Sequence, residues 1–92
     1  MLTIEFHSSF KKDFKRMKKR GMDMSVLENV LQILASEQEL PSICRDHALI
    51  GNYQGFRECH IHPDWLLIYR VEHERLTLVA VRTGTHSDLF SK

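Results

Sequence analysis

The fold is decided by residues 56–82, FRECHIHPDWLLIYRVEHERLTLVAVR, where a two-residue period is interrupted twice by short reversals. Phe56 to His62, Trp65 to Val71 and Leu76 to Arg82 read as three strands, with Pro63-Asp64 and His73-Glu74 at the turns, which predicts an antiparallel meander. In the first strand the pleat sends Cys59 and Ile61 to one face and Glu58, His60 and His62 to the other. One face of the sheet is therefore expected to be apolar and the other to carry polar chemistry.

Upstream of Gly55 the period is that of helices. In residues 11–20, KKDFKRMKKR, seven Lys and Arg surround Phe14 and Met17, which continue from Phe10 at i, i+4 and i+7; Asp13 is the only acid. This predicts a basic amphipathic helix, capped by Ser8 or Ser9 and ended by Gly21. A second helix follows, with Asp23 or Ser25 as N-cap, a capping box in Ser25-Val26-Leu27-Glu28, a stripe of Leu27, Val30, Leu31 and Leu34, and Pro41 as its stop. Leu2, Ile4 and Phe6 alternate with polar neighbours and give a short first strand, while residues 38–54 read as a long connection anchored by Leu49 and Ile50. The helical stripes have one large surface to bury against, the apolar sheet face. The expected fold is α+β in the order β-α-α-β-β-β: a small antiparallel-rich sheet with two N-terminal helices on one face.

At 92 residues, with 42% hydrophobic and 27% charged, the chain 1–92 is expected to be one domain with a real core, which excludes a disordered chain. No apolar stretch approaches the roughly 20 residues of a membrane span, and the N-terminal residues do not have the pattern of a secretion signal. A cytoplasmic location without membrane association is expected, with Cys44 and Cys59 as reduced packing thiols. The net charge of +1 conceals the concentration of cations at residues 11–20. That face is open to three readings: a solvated surface, a contact to phosphate backbones, or a docking site for an acidic partner.

Of six histidines, His7 and His73 are expected at the surface without a role, whereas His47, His60, His62 and His86 fall around the polar sheet face together with Glu58, Asp64 and Arg82. His60-x-His62 has the spacing of a zinc pair, but neither cysteine falls in CxxC spacing, and no metal or cofactor is assigned. Phosphate-loop, dinucleotide and elbow-serine motifs are also lacking. Histidine, carboxylate and arginine suffice for metal-independent RNA cleavage, in which the 2′-OH attacks the adjacent phosphate and the protein supplies a base, an acid and a cation. The plain alternative is a set of polar residues on a solvated sheet face.

Four segments then carry a resemblance: Asp46-His47-Ala48-Leu49, Phe56-Arg57-Glu58-Cys59-His60, Pro63-Asp64-Trp65-Leu66-Leu67-Ile68-Tyr69 and Arg82-Thr83-Gly84-Thr85-His86-Ser87-Asp88-Leu89-Phe90. In this order, behind a basic and a second amphipathic helix, they resemble the YafQ branch of the RelE/ParE toxin superfamily over essentially the whole chain. The resemblance implies a ribosome-dependent mRNA endoribonuclease of a type II toxin-antitoxin system, held by a DinJ-like antitoxin. It places His47, Glu58, His60, Asp64, Arg82 and His86 in the catalytic set and Phe90 as a stacking platform for a base; His62 falls off the pattern. Chemistry then favours His86 as acid, His60 or His47 as base or orienter, Glu58 as the group fixing a histidine tautomer and Arg82 on the phosphoryl oxygens. Lys11, Lys12, Lys15, Arg16, Lys18 and Lys19 are the expected contacts to rRNA or message. A non-catalytic relative, a gyrase inhibitor or a ribosome- or antitoxin-binding module, is the alternative; the histidines weigh against it.

Overall fold

The computed structural model describes residues 1–90. Strand β1 (Thr3–Phe6) leads into helix α1 (Ser8–Lys19) and helix α2 (Met24–Ala35); then come β2 (His47–Ala48), β3 (Arg57–His62), β4 (Trp65–Glu72), β5 (Thr77–Gly84) and helix α3 (His86–Phe90). The five strands form one sheet in the order β1-β5-β4-β3-β2, with β1 parallel to β5 and every other pair antiparallel. The α+β class, the meander and the two helices on one face agree with the sequence reading.

On that face Phe10, Met17, Leu27, Val30 and Leu31 pack against Cys59, Ile61, Trp65, Leu67, Tyr69, Leu78 and Ala80. The opposite face departs from expectation. Leu66, Ile68 and Leu89 form a second buried cluster, with Leu49, Tyr53, Phe56 and Val81 packed on it. Residues 49–56 and α3 thus cover part of the face expected to be polar. Trp65 to Tyr69, at the centre of the sheet, are consequently all buried, as befits a strand covered on both sides. Ile50 is no anchor, being 88% exposed, and the long connection contains an additional short strand, β2, whose two residues are too few to show a period.

The helix ends follow the sequence reading in part: Asp23 and Gly21 take expected places, and the other ends differ. His7, rather than Ser8 or Ser9, caps α1, its Nδ1 accepting from the Ser9 N–H. Asp23 caps α2 through the Ser25 N–H, so the capping box expected at Ser25 is not what starts the helix. Gly21 closes α1 as expected, with φ +83° and the paired bonds Met22 N–H to Met17 O and Gly21 N–H to Lys18 O. Helix α2 ends at Ala35 by the same device with Glu37 at φ 60°, well before Pro41.

Two features place the site. Strand β1 pairs with β5 only from Thr77 to Ala80, and beyond that point α1 takes over the open edge. Ser9 Oγ donates to Val81 O at 2.7 Å, and the Thr83 N–H donates to the Asp13 carboxylate at 3.1 Å. Asp13, 3% exposed, also accepts from Arg82 Nε at 2.6 Å and Arg16 Nη2 at 2.9 Å. The second feature is a β-bulge. Ile68 pairs with Arg82 and Tyr69 with Ala80, so Val81 is the extra residue on β5. Leu78 and Ala80 face the helices; the extra residue reverses the alternation and puts Arg82 in the row of Ile68, on the other face. Asp13→Ala is expected to lower the unfolding free energy by about 2–3 kcal/mol, because charged hydrogen bonds and a buried edge donor are deprived of their partner. Lys12→Ala on the exposed side of the same helix should stay within about 0.5 kcal/mol. Urea titration of the two variants checks both values.

Candidate active site

The strand register carries the candidate residues across the sheet in two adjacent rows. His47 of β2 lies opposite Glu58 of β3, Glu58 opposite Ile68 of β4, and Ile68 opposite Arg82 of β5. In the next row His60 of β3, Leu66 of β4 and Gly84 of β5 align. Strand spacing puts the Arg82 backbone about 10 Å from that of Glu58. Gly84 supplies no side chain, and its φ of 157° together with the nearness of Asp88, 3.0 Å from where a Cβ would stand, lets α3 fold back over the row. That return brings His86 beside His60, ring centroids 5.9 Å apart.

The three histidines have different partners. His86 donates from Nδ1 to Asp64 Oδ1 at 2.7 Å, and its backbone N–H reaches the same oxygen at 3.0 Å. These bonds hold the Asp64 carboxyl below its ordinary range and leave His86 Nε2 as the nitrogen open to proton exchange. His60 Nδ1 lies 3.3 Å from the Pro63 carbonyl oxygen, a partner that only a protonated Nδ1 can satisfy, so its Nε2 lone pair is open in the neutral ring. His47 faces oxygen on both sides, with Nδ1 at 2.7 Å from Arg45 O and Nε2 at 3.5 Å from Glu58 Oε1. Glu58 is 6% exposed on a strand otherwise hydrophobic at Cys59 and Ile61.

Arg82 uses Nε and Nη2 for Asp13, and that hydrogen-bonded pair raises its already high pKa. With five N–H donors in a planar fork, the guanidinium has donors beyond those taken by Asp13, with Tyr53 beside it, to offer an oxyanion. Phe90 is 40% exposed and its ring meets Tyr53 edge-on at 5.8 Å, while Tyr53 in turn meets Phe56 at 6.1 Å. His62 lies past an irregularity in the pairing and rests against Trp65, ring centroids 5.6 Å apart, separate from the His60–His86 pair. Among the described residues no group of three or more His, Cys, Asp and Glu side chains is placed to hold a metal ion. Cys44 and Cys59 are unpaired; burial pushes the Cys59 thiol up.

Lys11, Lys12, Lys15, Lys18 and Lys19 are exposed along α1, whereas Arg16 is half-buried and tied to Asp13. Asp13, Arg20, Tyr53 and Asp88 take part in the surroundings of the site, roles that the sequence reading did not assign. For Asp13 a signal existed: it stands three residues after Phe10 and four before Met17, on the buried stripe of the helix. Asp64 yields a direct check. A carboxyl lowered in the folded state stabilises the fold above its unfolded pKa, and that contribution disappears as pH falls through the folded value. Because the backbone N–H of residue 86 contributes most to the lowering and survives the substitution, carbon-13 NMR titration of the carboxyl should show the Asp64 midpoint rising only part of the way toward about 3.9 in His86→Ala.

A family model described as "Bacterial toxin of type II toxin-antitoxin system, YafQ" matches residues 2–91. The mRNA interferase toxin YafQ of Escherichia coli (strain K12) is 39% identical over 88 residues, covering 95% of this chain and 94% of the relative. Among solved structures, a metal-bound toxin from Helicobacter pylori superposes with a TM-score of 0.92 at 47% identity, over 98% of this chain and all of that one. The toxin in an E. coli DinJ-YafQ complex gives 0.88 at 37% identity, covering 98% and 99% of the two chains.

Proposed function

Because the chain belongs to the YafQ family of bacterial type II toxins, we propose that it cleaves mRNA by acid-base chemistry at the His60–His86 pair. It is an endoribonuclease that inhibits translation, and a DinJ-like antitoxin is its partner. The observation that carries the reading of the site is the pair itself. Two imidazoles with ring centroids 5.9 Å apart, one with a carboxylate on Nδ1 and the other with a carbonyl, are close enough to serve two oxygens of one phosphodiester.

The step needs no metal. His60 Nε2 takes the proton from a ribose 2′-OH as that oxygen bonds to the adjacent phosphorus. The bond from phosphorus to O5′ breaks, and His86 Nε2 delivers its proton to the departing oxygen. The products are a 2′,3′-cyclic phosphate and a free 5′-hydroxyl. Asp64 holds the His86 ring so that Nε2 is turned to the transfer, and the remaining N–H donors of Arg82 meet the charge that builds on the phosphoryl oxygens. Glu58 and the Arg45 carbonyl hold the His47 ring at the margin of the site. Phe90 stacks on a base, its ring braced by Tyr53.

In this reading the message is presented on the ribosome in the cytoplasm, and the lysines of α1 bind rRNA phosphates. His86→Ala and Arg82→Ala should each lower cleavage by about 10²–10⁴-fold while ribosome binding stays near wild type. Primer extension on a message translated with and without purified protein measures this, together with dependence on the ribosome. Undiminished toxicity of both variants in growing cells would instead favour a binding toxin of another kind. Charge reversal at Lys15, Lys18 and Lys19 should weaken ribosome association and flatten its dependence on salt, the slope falling by about 0.7–0.9 for each phosphate that is no longer neutralised. A sedimentation assay across a salt series reads that slope.

A further inference from the structure

Helix α3 is only five residues long, yet it carries both His86 and Phe90. A helix of that length does not hold itself in water. Its first turn is closed by a reciprocal box in which the Thr85 N–H donates to Asp88 Oδ2 at 3.0 Å and the Asp88 N–H donates to Thr85 Oγ1 at 3.1 Å. The box is tied across the molecule to the end of α1. Arg20 forks onto Asp88, Nη1 to Oδ2 at 2.7 Å and Nη2 to Oδ1 at 2.9 Å. The Asp88 side chain is 14% exposed and that of Arg20 42%. Arg20 is itself fixed as the C-terminal cap of α1 through its N–H to Arg16 O.

Resting on the cleavage reading above, we propose that Arg20 and Asp88 are positioning residues that set the angle at which His86 meets the leaving oxygen. Asp64 fixes the His86 ring from the β3–β4 turn, and the Arg20–Asp88 fork fixes the backbone that bears it. Two anchors on different elements restrict both the rotation and the translation of the imidazole, which one anchor does not. The Asp88 carboxyl is held well below the ordinary carboxylate range, first by its bond to Arg20, so the fork persists at any pH where the enzyme works. Arg20 thus differs from the lysines beside it: its charge is spent inside the molecule, not on a polyanion.

The test compares Arg20→Gln, Asp88→Asn, the double variant and His86→Ala with wild type on ribosome-bound message under saturating and limiting conditions. Asp88→Asn keeps an oxygen for the Thr85 N–H and alters chiefly the tie to Arg20. The expected result is a kcat about tenfold lower or more in each single variant, KM within twofold, an unchanged salt slope for ribosome association, and a double variant no worse than the weaker single one. Arg20→Lys, which restores the charge without the fork, should recover little of the missing kcat. A raised KM with a flattened salt slope in Arg20→Gln would make Arg20 a phosphate-binding residue. A lowered Tm with kcat intact would make the fork a structural tie. Either result overturns the proposal. His86→Ala separates it from the reading beneath: wild-type cleavage by His86→Ala removes both, whereas cleavage abolished there but kept in Arg20→Gln and Asp88→Asn removes the positioning role alone.

Discussion

A carboxylate buried in the most cationic helix of the chain organises much else in the molecule. Strand β5 has no strand beside it on the α1 side from Val81 to Gly84, and an unsatisfied N–H at a covered sheet edge is expensive. Asp13 satisfies the Thr83 N–H and, with the same two oxygens, binds Arg82 and Arg16. One group therefore docks α1 on the sheet, substitutes for a missing strand and orients the cation of the site. Thr83, fully buried, continues the connection inward, accepting from Trp65 Nε1 at 2.8 Å and donating to Leu66 O at 2.7 Å. The central strand, the helix layer and the cation are thereby linked through polar groups in a core that is otherwise apolar.

The two sheet faces divide the work. Behind the sheet, α1 and α2 bury most of the apolar surface, as a small domain must to be stable. In front, a smaller cluster under Tyr53, Phe56 and Leu89 is sufficient to seat α3 and residues 49–56, and the histidines stand along its margin. The chemistry is carried by short pieces: a two-residue strand, a turn and a five-residue helix. Each is fixed by polar contacts to a longer element or to one another, His47 by its ion pair with Glu58, Asp64 by its hydrogen bonds from His86, and α3 by those from Arg20.

Periodicity made the meander and both long helices legible, because Glu58 to His62 or Phe10 to Met17 declare their faces within one segment. It did not reveal the second cluster, whose members come from residues 49–56, 66–68, 81 and 89 and share no local pattern. Nor did it reveal β2, too short for a period, or the end of α2 at Ala35, where Glu37, a left-handed non-glycine residue just beyond, did what Pro41 was expected to do. Local charge was informative as a sum and misleading residue by residue: Asp13, Arg16 and Arg20 lie in the basic stretch but pair within the molecule. The histidines, Glu58, Asp64 and Arg82 were gathered from their place on the polar sheet face and Phe90 from the four-segment resemblance, and only folding shows that His60 and His86, 26 positions apart in sequence, stand side by side.

The bulge at Val81 makes β5 a strand of two halves with opposite phase. Up to Ala80, even-numbered positions belong to the helix side; from Arg82 onward they belong to the other. The pairing there is consequently held more tightly than the chemistry. Exchanging Val81 for another apolar residue leaves the phase untouched, but straightening the bulge, with Val81 opposite Ile68, would turn the guanidinium into the hydrophobic layer and Thr83 onto the opposite face. Evolution can therefore tune the identity of residue 81 within its size, while the irregular pairing it occupies is locked.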